Sequence, residues 1–266
     1  MIKIDQVVFR YPKGQNNVLS GVDAVFDTGK IHVLLGLNGS GKTTLIKILA
    51  GLYQPISGKV FYGDDSLKNI SIRERAKRMA YVAQRSDKID DFSVMDYLLF
   101  GTANQAKFYQ APNEEAKEKV IGIADRFGIG YLLKKDLGGI SGGERQIVSI
   151  ASSIAQDTSI ILLDEPTSAL DICNQYKVLS VLKEIAEKEN KTIVLSTHNP
   201  NHALFLGAEV YLLNRGVIVD HGTATDIVRP EKLKPVYGEK IGYCRDLPYD
   251  EISFSESFQG SKFDTQ

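Results

Sequence analysis

Short apolar runs rich in β-branched residues recur along the chain and predict a buried parallel sheet. The central runs are continuous and lack the alternation of apolar and polar side chains that marks a strand with one exposed face. Helical patterns alternate with them, notably at residues 171–189. A sheet covered on both faces by helices is expected, so the pattern predicts an α/β core. The predicted core strands are residues 31–35, 80–82, 160–163, 192–195, 210–213 and 217–219.

The N-terminal part of the chain has a different pattern. Residues 2–9 and 22–27 alternate like short strands, and the polar loop 13–17 lies between them. A further strand is predicted at 58–62, after the turn at 54–57. These strands would each bury one face only.

A long segment in the middle of the chain contains little that resembles a strand. Ser93 is a plausible N-cap for the apolar residues that follow it. Residues 113–127 carry Glu and Lys on one face of a predicted helix, and the apolar face consists of Val120, Ile121, Ala124 and Phe127. The pattern predicts a helical subdomain inserted into the α/β core.

The end of the chain is expected to lie outside the main domain. Residues 255–266 are mostly polar apart from Phe258 and Phe263, which predicts a mobile tail unless those two rings dock on the core. The predicted boundaries are 1–240 for a single domain, 1–89 and 157–240 for its α/β core with the β strands, 90–156 for the helical subdomain, and 241–266 for a partly flexible C-terminal extension.

Composition narrows the function classes. With 43% hydrophobic and 24% charged residues, the 266-residue chain is ordinary for a globular protein. The net charge of −1 gives no basic footprint for nucleic acid, and no apolar run is long enough to span a membrane. Cys173 and Cys244 lack the spacing of a metal site or a disulfide, which fits a reducing cytoplasm.

A glycine-rich loop follows the first predicted core strand. Residues 36–43 read Gly-Leu-Asn-Gly-Ser-Gly-Lys-Thr and fill every fixed position of the pattern G-x-x-x-x-G-K-[ST]. The loop precedes a helix-like stretch at 44–50, whose N-terminus and loop N–H groups would bind phosphate oxygens. Lys42 would reach the β- and γ-phosphates, and the Thr43 hydroxyl would bind Mg²⁺. The alternative is a chance glycine turn before a helix.

An acidic pair ends another core strand. Asp164 and Glu165 directly follow the apolar residues 160–163. Asp164 could hold Mg²⁺ through a water, and Glu165 could orient or deprotonate an attacking water. Acidic loop residues are common, so the pair alone is weak evidence for a catalytic site. It becomes strong evidence because the same chain also carries the phosphate loop. Together the two motifs predict nucleotide hydrolysis.

A second glycine motif lies between them. Ser141, Gly142 and Gly143 are small enough for the backbone to approach a phosphate, and they precede a helix that runs to about Gln156. Ser141 followed three residues later by Glu144 also fits a capping box. Both interpretations can hold, because a capped helix N-terminus is what binds phosphate.

These motifs resemble, over nearly the whole chain, those of the nucleotide-binding subunit of an ATP-binding cassette (ABC) transporter. Residues 36–44 match the Walker A motif, 160–165 the Walker B motif and 140–144 the ABC signature, which this family usually writes LSGGQ. Ile140 for Leu is conservative. Glu144 stands where the family has Gln, but the serine and both glycines remain, so the resemblance implies retained phosphate binding and ATPase activity.

The resemblance also implies roles for single residues. Hydrolysis would depend on Glu165, on the Q-loop residue Gln84 and on the switch histidine His198. Mg²⁺ would be held by Thr43, Gln84 and Asp164. ATP within the chain would be bound by Tyr11, whose ring would stack on adenine, and by Asn38, Gly39, Ser40, Gly41, Lys42, Thr43 and Thr44. The ATP of a partner chain would be contacted by the signature residues Ser141, Gly142, Gly143 and Glu144, next to Asp171 of the D-loop at 168–171.

Three of these residues are less distinctive on their own. Tyr11 could be an ordinary tyrosine at a strand end, and Gln84 an ordinary loop residue. His198 alone could be a core histidine, but it follows the predicted strand 192–195, whose C-terminal end faces the ligand in sheets of this kind. That position favours a contact with the γ-phosphate. Simple packing or surface roles are expected for His32, His202 and His221.

The fold that the resemblance implies is α/β: a P-loop NTPase (RecA-like) core with an antiparallel β subdomain and an inserted α-helical subdomain. It further implies a head-to-tail homodimer with ATP and Mg²⁺ between the P-loop of one chain and the signature of the other. Integral membrane permease subunits would insert a helix into a groove beside the Q-loop, so the chain would lie at the cytoplasmic face of the membrane. An extracytoplasmic solute-binding protein would be an indirect partner.

The transported solute is predicted from weaker signals. Residues 93–101, 197–204 and 231–238 look most like subunits that serve iron–siderophore, haem and vitamin B12 importers. An importer or exporter of another solute is the alternative. A soluble ABC ATPase acting on nucleic acid or ribosomes is disfavoured, because the chain has no long coiled-coil insert and no second cassette. A catalytically dead interaction module is disfavoured by the intact catalytic residues Lys42, Asp164, Glu165 and His198.

Overall fold

Three β-sheets and the helices around them make up the part of the chain that the structure describes. This computed structural model describes residues 1–84, 91–104, 113–239, 241–244 and 251–254. The strands are β1 (Ile2–Phe9), β2 (Leu19–Phe26), β3 (Ile31–Leu35), β4 (Ser57–Tyr62), β5 (Asp65–Ser66), β6 (Met79–Val82), β7 (Ile160–Leu163), β8 (Thr192–Thr197), β9 (Glu209–Asn214), β10 (Val217–Thr223), β11 (Ile241–Cys244) and β12 (Glu251–Phe254). The α-helices are α1 (Lys42–Leu49), α2 (Ile72–Arg78), α3 (Val94–Gly101), α4 (Glu114–Phe127), α5 (Gly142–Ala155), α6 (Ile172–Glu189), α7 (Pro200–Leu206), α8 (Ala224–Ile227) and α9 (Pro230–Tyr237).

The largest sheet has the strand order β10-β9-β3-β8-β7-β6. The strands from β9 to β6 run parallel, and β10 is antiparallel to β9 at the edge. Because these strands are parallel, their carboxyl ends meet at one edge of the sheet. The predicted α/β core is confirmed, and the glycine-rich loop, the acidic pair and His198 all follow strands at that edge.

The continuous apolar runs reflect burial on both faces of this sheet. Val33, Leu35 and Leu163 point into a core that they share with helices α3 to α6. Leu34 and Leu162 point the other way, into a core that they share with α1 and the N-terminal strands. Since neighbouring side chains of a strand alternate between faces, a strand buried on both sides carries apolar residues at every position.

A separate antiparallel sheet, in the order β2-β1-β4-β5, covers α1 on the second face. Its strands alternate buried and exposed residues, as predicted for strands with one buried face. β2 begins at Leu19, three residues before the predicted start at residue 22. The predicted antiparallel β subdomain is confirmed.

The inserted segment is helical, as predicted. Among residues 91–104 and 113–155, α3, α4 and α5 pack on one another, and the only β pairing is an isolated bridge between Ser93 and Asp136. The Ser93 hydroxyl accepts the Asp96 N–H, which caps α3 as expected. The proposed boundaries at 90 and 156 remain predictions.

The prediction of the apolar face of α4 was wrong at one residue. Val120, Ala124 and Phe127 are buried, but Ile121 is 40% exposed and Ile123 is buried in its place. The buried side chains recur at the three- and four-residue steps of a single helical stripe, and Ile121 lies beside that stripe.

The C-terminal extension includes an antiparallel pair of strands, β11 and β12, which lie against α9 and α7 respectively. The tail predicted at 255–266 lies outside the described residues. None of the helices in the described ranges combines the length and the apolar composition needed to cross a lipid bilayer.

Candidate nucleotide site

Two glycines of the phosphate loop, Gly36 and Gly41, lie where a Cβ would be too close to neighbouring atoms. A Cβ on Gly36 would lie 2.2 Å from the Leu213 carbonyl oxygen of the neighbouring strand β9. Gly41 has φ +107° and forms the N-cap of α1 without a side-chain hydrogen bond to the helix. The first N–H groups of α1 are therefore left for an anion, because no side chain caps them.

Lys42 is buried within this loop. Its Nζ donates to the carbonyl oxygens of Gly36 and Leu37 at 2.8 and 3.0 Å and lies 3.4 Å from Glu165 Oε1. Burial lowers the pKa of Lys42, while the carboxylates of Glu165 and Asp164 act in the opposite direction. The ammonium group is thus held where the loop and the acidic pair meet.

Asp164 is anchored through one of its two carboxylate oxygens. Oδ1 accepts from Thr43 Oγ1 at 3.0 Å and from Ser196 Oγ at 2.8 Å. Oδ2 is buried and has no hydrogen-bond partner. Burial raises the pKa of Asp164, and the two hydroxyl donors partly counter that shift. A buried carboxylate oxygen without a donor is an arrangement that a bound cation would complete.

Glu165 is the residue on which the predicted catalytic groups converge. Its Oε2 accepts from Gln84 Nε2 at 3.2 Å and lies 3.5 Å from His198 Nδ1. Its backbone lies in the left-handed region, with φ +45°, and its N–H donates to Ser196 Oγ at 2.9 Å. Glu165 is almost fully buried whereas the His198 side chain is half exposed. The structure therefore brings Lys42, Gln84, Glu165 and His198 together.

Tyr11 forms the wall of a cleft of about 350 Å³ above the loop. Its hydroxyl lies 3.0 Å from Thr44 Oγ1, and its ring meets Phe9 and Tyr53 edge to face at 5.1 and 5.7 Å. The ring is therefore held on two sides, and Tyr11 as a whole remains 37% exposed. The same cleft is lined by predicted site residues, namely Asn38, Gly39, Gly41, Lys42, Thr43, Thr44, Gln84 and Glu165.

The second glycine motif lies elsewhere on the chain. Ser141, Gly143, Glu144 and Asp171 line another cavity, of about 310 Å³, which shares no residue with the cleft at the P-loop. The predicted capping box of α5 is present. No residue of the motif lines the cleft at the P-loop.

Both carboxylate oxygens of Glu144 accept hydrogen bonds from its own chain. Oε2 accepts the Ser141 N–H at 2.8 Å, and Oε1 accepts from the Tyr131 hydroxyl at 2.8 Å. These hydrogen bonds, the one from the Ser141 backbone first, lower the pKa of Glu144. Asp171 is likewise an N-cap, since its Oδ1 accepts the Asn174 N–H of α6 at 2.9 Å.

Comparison with known proteins identifies the family. Residues 19–168 match the ABC transporter family, which is more than half of the chain. The chain is also 35% identical over 81% of its length to an uncharacterised ABC transporter ATP-binding protein of Haemophilus influenzae, of which the match covers 82%.

The chain belongs to the ABC transporter family.

Within that family it is an ATP-binding subunit, and its relatives serve different transporters. It is 34% identical over 88% of its length to the energy-coupling factor transporter ATP-binding protein EcfA1 of Mycoplasma mobile, with 84% of that protein covered. It is 28% identical over 84% of its length to the iron(3+)-hydroxamate import ATP-binding protein FhuC of Bacillus subtilis, with 83% covered.

Solved structures of ABC transporters have the same fold. A transporter described as of the metal-chelate type, in an inward-facing conformation, aligns with a TM-score of 0.78 and 28% identity over 94% of both chains. A bacterial ABC transporter cassette solved as a dimer aligns with a TM-score of 0.78 and 25% identity, over 84% of this chain and 99% of that one. The P-loop NTPase fold predicted from the sequence is therefore confirmed.

Several ABC-site neighbours were missed by the sequence analysis. Ser196 holds Asp164 and the Glu165 backbone at once, and the Tyr237 hydroxyl donates to the His198 carbonyl at 3.1 Å. His202 is 3% exposed and was expected only to pack. One signal was available: His202 follows His198 by four residues, so a short helix beginning between them would keep the two close.

Proposed function

We propose that this chain is the ATP-hydrolysing subunit of a transporter, with Glu165 as the general base. The observation that carries the proposal is the position of the Glu165 carboxylate, beside Lys42, Gln84 and His198 at the carboxyl edge of the sheet. Lys42 would bind the β- and γ-phosphates, and Glu165 would take a proton from the attacking water. His198 would contact the γ-phosphate from the exposed side.

The donor set also fits Mg²⁺. Thr43 Oγ1 lies beside Asp164, whose Oδ2 is buried without a partner, and oxygen donors of this kind suit a hard divalent cation. Thr43, Asp164 and Gln84 would hold the ion. When bound, it would neutralise charge that develops on the phosphates.

Two chains are required for a complete site in this proposal. The P-loop cleft and the signature cavity share no residue, and in this proposal the two close on one ATP from different chains. A head-to-tail homodimer would place the signature of each chain on the ATP of the other. The dimeric state of the related bacterial cassette supports this arrangement.

The membrane partner and the solute are inferred from relatives. We propose that integral permease subunits dock beside Gln84 at the cytoplasmic face, and that the solute is an iron–siderophore, haem or cobalamin type of metal chelate delivered by an extracytoplasmic binding protein. The likeness to a metal-chelate transporter and to the hydroxamate-import protein supports this class. The likeness to the energy-coupling factor protein favours the alternative of another solute.

Glu165→Gln tests the catalytic role. The amide keeps the size of the side chain but cannot accept the proton, so phosphate release should fall by about 10² or more. ATP binding should persist because Lys42, Thr43 and Asp164 are unchanged. Glu184→Gln is the matched control, since Glu184 is a half-exposed glutamate paired with Lys188 on α6. Undiminished hydrolysis in Glu165→Gln, or an equal loss in the control, would overturn the assignment.

The solute class is tested with the complex as it occurs in the membrane. A tagged copy of this chain is used to purify its permease, and the complex is reconstituted in vesicles with the solute-binding protein. ATP hydrolysis should rise severalfold when that protein carries a ferric siderophore, haem or cobalamin. Stimulation only by another solute, such as an oxyanion or a vitamin without a metal, would reject the metal-chelate class and leave the ATPase proposal intact.

A further inference from the structure

His202 is a buried histidine close in sequence to His198, and the catalytic roles proposed above do not include it. It lies on α7, four residues after His198, and only 3% of its surface is exposed. Polar groups from three parts of the chain surround its imidazole. Burying a polar ring is costly unless its nitrogens are hydrogen-bonded, so the arrangement of these partners matters.

One side of the imidazole faces the D-loop. Gln175, in the first turns of α6, donates its Nε2 to the carbonyl oxygens of Thr167 and Leu170 at 3.3 and 2.9 Å. Its Oε1 lies 3.2 Å from His202 Nε2. Gln175 therefore holds the D-loop backbone with its amide nitrogen and His202 with its amide oxygen.

The other side faces the end of β8, immediately before His198. Nδ1 lies 3.2 Å from Thr197 Oγ1 and 3.5 Å from Thr167 Oγ1, and Thr197 Oγ1 accepts the Asn199 N–H at 3.0 Å. With its proton on Nε2, the imidazole donates to Gln175, and its Nδ1 accepts from these hydroxyls. Asn199 Nδ2 also lies 3.2 Å from Nε2, but it is itself a donor and so does not hydrogen-bond to Nε2 in this tautomer.

The two loops that meet at His202 also carry the groups that meet at the site. Thr167 lies two residues after Glu165, and the Glu165 carbonyl accepts from Ser168 at 3.0 Å. Thr197 immediately precedes His198. The contact between Glu165 Oε2 and His198 Nδ1, at 3.5 Å, therefore spans two loops that His202 bridges from behind.

We propose that His202 is a positioning residue that, with Gln175, links the D-loop to the switch-histidine loop and keeps Glu165 and His198 in register for hydrolysis. This inference rests on the proposed ATPase function. A neutral imidazole is suited to the task because it donates at one nitrogen and accepts at the other, and burial keeps it neutral by lowering the pKa of His202 to about 4. His202 would act through its neighbours and not touch the nucleotide.

The test separates turnover from substrate affinity. In steady-state assays of the full chain, His202→Ala should lower kcat about tenfold, on the scale of one buried hydrogen bond left unmade, with KM for ATP changed less than about twofold. His202→Gln restores a donor near the position of Nε2, and His202→Asn restores an acceptor near Nδ1. Each should recover part of kcat, because each restores one half of the link.

A buried histidine elsewhere provides the matched control. His32 is 1% exposed and lies at the opposite end of β3 from the phosphate loop. His32→Ala should lower the free energy of unfolding as His202→Ala does, yet leave kcat within about twofold. Equal losses of kcat in the two variants, or full kcat in His202→Ala, would overturn the positioning role.

A double-mutant cycle tests the link itself. If His202 and Gln175 act as one unit, the variant with both residues changed to Ala should lose no more of kcat than the worse single variant. Losses that multiply would overturn the link even if each single change is harmful. A wild-type chain without hydrolysis would reject the proposed function itself, whereas an active wild type with unaffected His202 variants would reject only this inference.

Discussion

Tyr11 contributes a ring and a hydroxyl to the nucleotide cleft, and mutation can separate the two. Its ring is fixed by Phe9 and Tyr53, and its hydroxyl contacts Thr44. Tyr11→Ala should weaken ATP binding by about 1–3 kcal/mol if the ring stacks on adenine. Tyr11→Phe keeps the ring and should bind within about threefold of wild type. An equilibrium titration in the Glu165→Gln background avoids turnover, and wild-type affinity in both variants would make Tyr11 an ordinary strand-end tyrosine.

His202 should make the fold sensitive to mild acid. Its pKa in the folded chain is about 4, below the ordinary 6.5, so the unfolded chain binds a proton in a range where the folded chain does not. The stability that this histidine contributes is present above pH 6.5 and is lost as the pH falls from 6.5 towards 4. Urea unfolding at pH 7 and pH 5 should show a larger loss for wild type than for His202→Gln. Identical losses would contradict the buried, neutral state, since other titrating groups are common to both chains.

At the scale of elements, the N-terminus of α5 should have two roles: Ser141 stabilises the helix there, and in the proposed dimer it also contacts the ATP of the partner chain. Ser141 caps this helix by accepting the Glu144 N–H, just as Asn113 caps α4 by accepting the Ala116 N–H. Ser141→Ala and Asn113→Ala should each cost about 0.5–2 kcal/mol of unfolding free energy. Only Ser141→Ala should also reduce ATP hydrolysis, because only this cap would face a partner's phosphate. Equal hydrolysis in the two variants would leave Ser141 a helix cap alone.

The elements that could be predicted from the sequence are those whose burial shows as a run of apolar residues. β3 and β7 are apolar at nearly every position, and β8 is apolar at residues 193–195, because both faces of the sheet are covered. β10 was predicted only to residue 219, whereas it extends to Thr223. Its last residues, Asp220 to Thr223, lie at the sheet edge and alternate between partly buried and exposed positions, so they carry no apolar signal.

The residues of the candidate site also differ in how far they could be predicted from the sequence. The P-loop, the acidic pair and the capping box are contiguous motifs, so local spacing was enough to propose them. The assignment of Gln84 and His198 depended also on the order of the motifs along the chain. The link between Gln175 and His202 has no local signature, because it exists only when the starts of α6 and α7 are packed side by side.

At the scale of the whole molecule, the separation of the two cavities predicts complementation. Lys42→Ala damages the P-loop side of a chain, and Ser141→Arg blocks the signature side. In the Glu165→Gln background, neither variant alone should form an ATP-dependent dimer. A mixture should form one, because the P-loop of the Ser141→Arg chain can pair with the signature of the Lys42→Ala chain.

Light scattering with and without ATP measures this outcome. The Glu165→Gln parent should dimerise with ATP and serves as the positive control. A mixture that stays monomeric while the parent dimerises would contradict head-to-tail pairing. A dimer formed by the Ser141→Arg variant alone would show that the signature is not part of the interface.

The two cavities also have a genetic consequence. Under the proposed pairing, every ATP lies between two gene products, so one defective copy lowers the output of the normal copy that it joins. If a cell makes normal and Lys42→Ala chains in equal amounts and they pair at random, only about a quarter of the pairs contain two intact sites. Inactivating alleles of this gene should therefore be dominant when the altered chain is folded, and recessive when the chain is absent.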